Sequence, residues 1–138
     1  MAVRPHERLE GALIMQFSHA SQPAFTKGTE VKFNGDDSLL VATSGDDPLA
    51  IGVISQANPS GRTASVCMYG DKVIPVLVGS GGATRGKMAV YSATGFTDAA
   101  TFGGGTTAQT IKGQFLQSGS QNDLVGLMLG VNYSSVKI

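Results

Sequence analysis

The chain has no tryptophan, one cysteine and two histidines in 138 residues. A lone cysteine, Cys67, excludes an intramolecular disulfide and a thiolate metal cluster. Charge is scarce as well: ten Lys plus Arg stand against ten Asp plus Glu, for a formal net charge of zero. Proteins that bind nucleic acid by releasing its counterions carry a basic face or stripe, so neutrality argues against that class. No apolar run approaches the roughly 20 residues that span a bilayer. The short apolar patch at 12–15 follows a charged segment holding Glu7 and Glu10, and no convincing small-residue cleavage site comes after it, so no signal peptide is read. These absences point to one soluble domain made in a cytoplasm, without membrane or nucleic-acid partners.

Glycine is abundant, with nineteen residues. Together with Ser and Thr it punctuates the chain about every ten residues, which is an all-β pattern. Val, Leu, Ile, Ala, Phe and Met are enough to fill one small barrel or sandwich. The expected fold is therefore all-β, a barrel-like domain over residues 25–138 preceded by an extended N-terminal arm, 1–24.

The stretch 73–91 bears most directly on function. An apolar run leads into Gly81-Gly82-Ala83-Thr84-Arg85-Gly86-Lys87, which fits the G-x-x-x-x-G-K pattern of phosphate-cradling loops. That loop needs a Ser or Thr after the Lys to hold Mg²⁺, and Met88 stands there. It also needs a helix whose N-terminal N–H groups face the phosphates. Residues 88–92 are short and run into Ala93-Thr94-Gly95, leaving no room for one. A glycine-rich β-turn is the preferred reading, since glycine tolerates positive φ.

The arm is the most charged part of the chain, with Arg4, His6, Glu7, Arg8 and Glu10 around Pro5. Within it, 11–17 reads as a strand in preference to a short helix with Leu9, Leu13 and Phe17 on one face. Strands are then expected at 29–33, 39–43, 49–55, 63–69, 72–78, 87–92, 110–117 and 123–131. Asn34-Gly35 gives a hairpin signal. Pro75 cannot donate to a ladder and places its strand at an edge or a bulge. Residues 93–105 read as a glycine- and threonine-rich excursion, and 132–138 as a tail whose Val136 and Ile138 pack on this domain or on a neighbour. A weak echo links Lys27-Gly28 and Ile51-Gly52-Val53 with Arg85-Gly86 and Ile111-Lys112-Gly113. Two related β units and chance both remain open as its cause.

Candidate chemistry is thin. Cys67 with His6 or His19 could pair a nucleophile with a base, but Cys67 sits mid-strand, where a free cysteine is usually a small buried hydrophobe. Asp36-Asp37 and Asp46-Asp47 could offer oxygens to Ca²⁺, yet Asp is also a common turn residue. Lys27, Arg62, Lys72, Arg85, Lys87 and Lys112 are dispersed and read as a solvated surface. No catalytic residue, cofactor site or metal site is assigned.

The order of Lys27-Gly28-Thr29-Glu30-Val31, Pro48-Leu49-Ala50-Ile51-Gly52-Val53, the strand 63–69 with Gly70 and Val73, Arg85-Gly86 with Val90-Tyr91, Ile111-Lys112-Gly113, and 124–129 resembles the small decoration (cement) proteins of tailed bacteriophages. The resemblance covers about residues 25–131 and rests on spacing, not on a catalytic signature. It implies a β-barrel-like or β-tulip domain that assembles, commonly as a homotrimer, on the outer surface of a mature HK97-type capsid. There it would clamp neighbouring major capsid protein subunits against internal DNA pressure. The arm lies outside the match and carries the candidate capsid contacts Arg4, His6, Arg8 and Phe17. A tail-fibre or receptor-binding β-protein is the alternative within virions, though no Trp is available for a sugar-stacking platform. A nucleotide-binding protein using the 81–87 loop is the third reading.

Overall fold

The computed structural model of the chain describes residues 14–18, 26–33, 39–45, 47, 49–58, 63–70, 72–100 and 108–137. Among them are ten strands and no helix: β1 (Ile14–Ser18), β2 (Glu30–Phe33), β3 (Leu40–Ala42), β4 (Gly52–Asn58), β5 (Thr63–Met68), β6 (Val73–Leu77), β7 (Met88–Ser92), β8 (Gly95–Asp98), β9 (Ala108–Phe115) and β10 (Leu124–Lys137). They form two five-stranded antiparallel sheets, in the orders β1-β5-β4-β2-β3 and β6-β10-β9-β7-β8. Counted from its own first strand, each sheet runs first, fifth, fourth, second, third. The chain is thus two topologically identical units, β1–β5 and β6–β10, and the sequence echo marks them.

Register makes the correspondence residue by residue. In unit one, Ile14, Cys67, Val53 and Glu30 pair in a row across β1, β5, β4 and β2. In unit two the same row is Val73, Met128, Gln114 and Met88. The adjacent row is Met68, Gly52, Val31 and Ala42 in unit one, and Leu129, Gly113, Ala89 and Asp98 in unit two. Both units need glycine at the same place. A Cβ on Gly52 would collide with the Cys67 carbonyl, and one on Gly113 with the Met128 carbonyl. A strand glycine where another backbone passes this closely is the expected use of the residue.

Side chains alternate across each sheet, so successive rows face opposite ways. The inner faces correspond as well. Val31, Leu40, Ile54, Ala64 and Val66 form one cluster. Their counterparts Ala89, Phe96, Phe115, Val125 and Leu127 belong to the other. Fully burying side chains such as Phe96 and Phe115 contributes about 1.5–3 kcal/mol each. In unit two the sheet curls until its edges meet. Val78 bridges Phe96, and the Gly79 N–H donates to the Phe96 carbonyl at 2.9 Å, joining the end of β6 to β8.

Several expected boundaries shift. The excursion expected at 93–105 contains β8, because Phe96 and Thr97 turn inward to close the second sheet. The expected tail continues β10 to Lys137: beyond an irregularity between Leu129 and Ser134, residues 134–137 pair again with β9. Pairing of backbone N–H and C=O groups holds there despite the polar sequence. β4 begins at Gly52 and runs through Asn58, later than expected. Pro75 lies on β6, an edge strand, as expected. Of the segment expected as an arm, the described part is β1, which lies along the edge of the first sheet and pairs with β5.

Candidate functional site

The unusual chemistry lies where the two units meet. Glu30 and Lys112 are both wholly buried, and the Lys112 Nζ sits 2.9 Å from a Glu30 carboxylate oxygen. Glu30 comes from β2 of unit one and Lys112 from β9 of unit two. The Thr43 hydroxyl donates to Glu30 Oε1 at 2.8 Å, and the Tyr69 hydroxyl donates to Oε2. Lys112 also donates to the Asp47 carbonyl at 3.0 Å and lies 5.6 Å from the Tyr69 ring centroid. A buried ion pair survives only when its remaining hydrogen-bonding capacity is met, and here both partners are cradled.

The electrostatics follow from burial. Desolvation raises the Glu30 carboxyl above its ordinary value of 4.5, against the opposing pull of the Lys112 ammonium and the Tyr69 and Thr43 hydroxyls. Burial, then the nearby Glu30 carboxylate, pushes the Tyr69 phenol well above its ordinary value of 10.0. Burial likewise raises Tyr91, and the hydrogen bond its phenol oxygen accepts from the Glu30 backbone pulls the other way. Burial works against ionising Asp47, but hydrogen bonds from Lys32 and the Leu49 N–H hold it below its ordinary 3.8.

This arrangement corrects the reading of Lys112 as part of a solvated surface: it is the inner half of an inter-unit ion pair. A charged residue between Ile111 and Gly113 inside a strand was the available signal. Its partner was not legible, because Glu30 is far away in the chain. The Asp47 carboxylate accepts from the Leu49 N–H at 2.8 Å, which is turn chemistry, and it pairs with Lys32 at 2.7 Å. Among the described residues no three His, Cys, Asp or Glu side chains gather into a metal-binding group. Cys67 is buried in the inter-unit core beside Val53. Arg4, His6, Arg8, His19, Asp36, Asp37, Asp46 and Arg62 lie outside the described residues. The backbone of Phe17 pairs with Ala64.

The glycine-rich loop uses its own donors. Ser80 N–H donates to Thr94 Oγ1, Gly82 to the Gly79 carbonyl, and Ala83 to the Gly119 carbonyl. Thr84 donates to the Asp98 carboxylate, Arg85 to Ser118 Oγ, and Gly86 to the Phe115 carbonyl. Strand β7 follows at Met88, where a phosphate loop would open a helix. These N–H groups fasten a turn to neighbouring strands and are not aimed at a ligand.

The fold and its buried cluster define an all-β protein of two tandem units joined by an internal polar latch. Comparison with known proteins gave no matching family model, no matching curated relative and no matching solved structure.

Proposed function

We propose that this chain is a structural, non-catalytic capsid decoration protein that binds the outer surface of a mature phage capsid and stabilises it against rupture. The observation that carries the reading is the ordered series of motifs from Lys27-Gly28 to residue 129, read on this fold. Its glycines occupy the turns and close approaches of a repeated β scaffold: Gly28 and Gly86 open the second strand of each unit, and Gly52 and Gly113 sit where backbones nearly touch. Such a scaffold suits a clamp, which needs rigidity and many weak contacts multiplied on a symmetric lattice, not a reactive group. On this reading the partner is the major capsid protein, the chain works as a homo-oligomer with a trimer favoured, and the N-terminal residues Arg4, His6, Arg8 and Phe17 reach the coat.

The test is add-back. Purified chain is mixed with mature shells and with unexpanded precursor shells lacking it, and cosedimentation and rupture temperature are measured. Binding to mature shells with a higher rupture temperature is expected. No binding, or binding without a gain, removes the reading and puts the tail-fibre alternative in front.

A further inference from the structure

The two units make one interface inside the chain, and it is head-to-tail. Unit one contributes its outer row, with Glu30, Val53 and Cys67 packed against unit two. Unit two contributes a different surface, including Lys112 and the β6 edge, where the Leu77 N–H donates to the Gly28 carbonyl at 3.0 Å. A head-to-tail contact between like units leaves one copy of each surface unused.

Both surfaces have a counterpart among the described residues: that of unit one is apolar, and that of unit two sets Met88 and Met128 on either side of Gln114, whose Nε2 donates to the Gly86 carbonyl at 2.8 Å. The outer row of unit two is Met88, Gln114 and Met128, in the positions of Glu30, Val53 and Cys67. Met88 is 38% and Met128 42% exposed, whereas their counterparts Glu30 and Cys67 are wholly buried. The glycine turn beside this row agrees. Gly28 and Gly86 share nearly the same backbone, with φ of +87° and +88°. A Cβ on Gly28 would meet Leu77 N at 2.5 Å, but one on Gly86 would meet nothing within 4 Å. An open depression of about 260 Å³ lies there, lined by Arg85, Gly86, Gln114, Phe115 and Leu116. On unit one, the counterparts of Lys112 and Leu129 are Ile51 and Met68, half-buried apolar residues at the margin of its core.

We propose that the Met88–Met128 face of unit two is a docking surface for a second copy of this chain, which seats the Ile51–Met68 end of its unit one there in the manner of the internal interface. The match of chemistry selects this occupant. Inside the chain the position pair is Glu30 with Lys112, two charges that satisfy each other. Between chains the same pair is Met88 with Ile51, two apolar side chains. Either crossed combination would bury a charge without its partner, which is strongly unfavourable. The ion pair thereby directs unit one to unit two of its own chain and reserves the apolar pair for the neighbour, a use of charge to specify partners. The inference deepens the homo-oligomer of the proposed function by giving it a surface, but it is argued from the internal interface alone, so a failed shell add-back would leave it standing.

The experiment uses the full chain without shells, in sedimentation velocity over a concentration series. Wild-type chain is expected to self-associate. Met88→Glu and Ile51→Lys are each expected to weaken association at least about tenfold, since each leaves a charge facing an apolar partner. The double variant carries the internal pair's chemistry across the new interface and is expected to restore association. Circular dichroism and melting of each variant check folding, and both sites are partly exposed, so the monomer should tolerate the changes. A wild-type chain that stays monomeric overturns the proposal. So does association unaffected by Met88→Glu, or a double variant no better than the singles.

Discussion

The two units share strand order, register and glycine positions, yet they differ at one face. In unit one the outer row Glu30–Val53–Cys67 is buried under its sister; in unit two the row Met88–Gln114–Met128 is open. The same backbone framework therefore supports opposite surface chemistry. What differs is the side chain at each matched position, which shows that topology fixes where a contact can form and sequence decides which contact does.

The largest expected effect breaks that difference at its polar centre. Glu30→Met, which gives unit one the residue that unit two carries, leaves the Lys112 ammonium buried without its carboxylate and should cost about 3–5 kcal/mol in urea melts. Lys112→Ile should cost a comparable amount near neutral pH. The double variant should lose less than the sum of the singles, because each change removes the same interaction. Additive losses would mean that the pair does not couple the units.

Next in size are the close-approach glycines. Gly52→Ala and Gly113→Ala each push a Cβ into a carbonyl on the neighbouring strand, and each should cost about 1–3 kcal/mol. Similar losses at both positions would sharpen the equivalence of the units. A loss confined to one would break it.

Gly28→Ala and Gly86→Ala differ more subtly. Both place alanine at positive φ, which strains an L-residue by roughly 1–2 kcal/mol. Only Gly28 also has the other unit against it. The Gly28 variant should therefore lose more in the monomer, and the excess measures inter-unit packing.

The smallest effects are those of pH. The Glu30 carboxyl titrates above its ordinary 4.5, so just above that pH the folded chain holds a proton that the unfolded chain has released. Its contribution to stability is complete below 4.5 and declines as pH rises through the folded value. Lys112→Ile removes the main opposing pull, so that variant should recover part of its lost stability as pH falls toward 4.5. Tyr69 gives the alkaline counterpart. Its phenol titrates well above 10.0, so stability should fall as pH rises past 10, and Tyr69→Phe should flatten that fall.

Much of the scaffold was legible because it rests on local rules. Turns rich in Gly, Ser and Thr bracketed most of the strands, and the missing N–H of Pro75 put β6 at an edge or a bulge. The loop at 81–87 read as a turn because Met88 follows Lys87 and no helix could begin. The rest of the structure is set by long-range effects. Phe96 lies among Gly and Thr and looks like loop until the second sheet closes on it. Residues 132–137 look like a tail until β9 offers them hydrogen bonds. The buried cluster was the least legible feature, since Glu30 and Lys112 each sit in an ordinary strand and only the docking of two units brings them together. The echo between Lys27-Gly28 and Arg85-Gly86 was the one trace of that docking partner in the sequence.

Within one chain the two units dock face to end. Native-state hydrogen exchange at the Leu77 amide is the sharpest test of that docking. Leu77 is on an edge strand, and its N–H donates across the junction to the Gly28 carbonyl. Slow exchange is expected, close to that of amides in the central strands β9 and β10, with markedly faster exchange in Glu30→Met. Rapid exchange at Leu77 in the wild-type chain, at the rate of an open sheet edge, would contradict it.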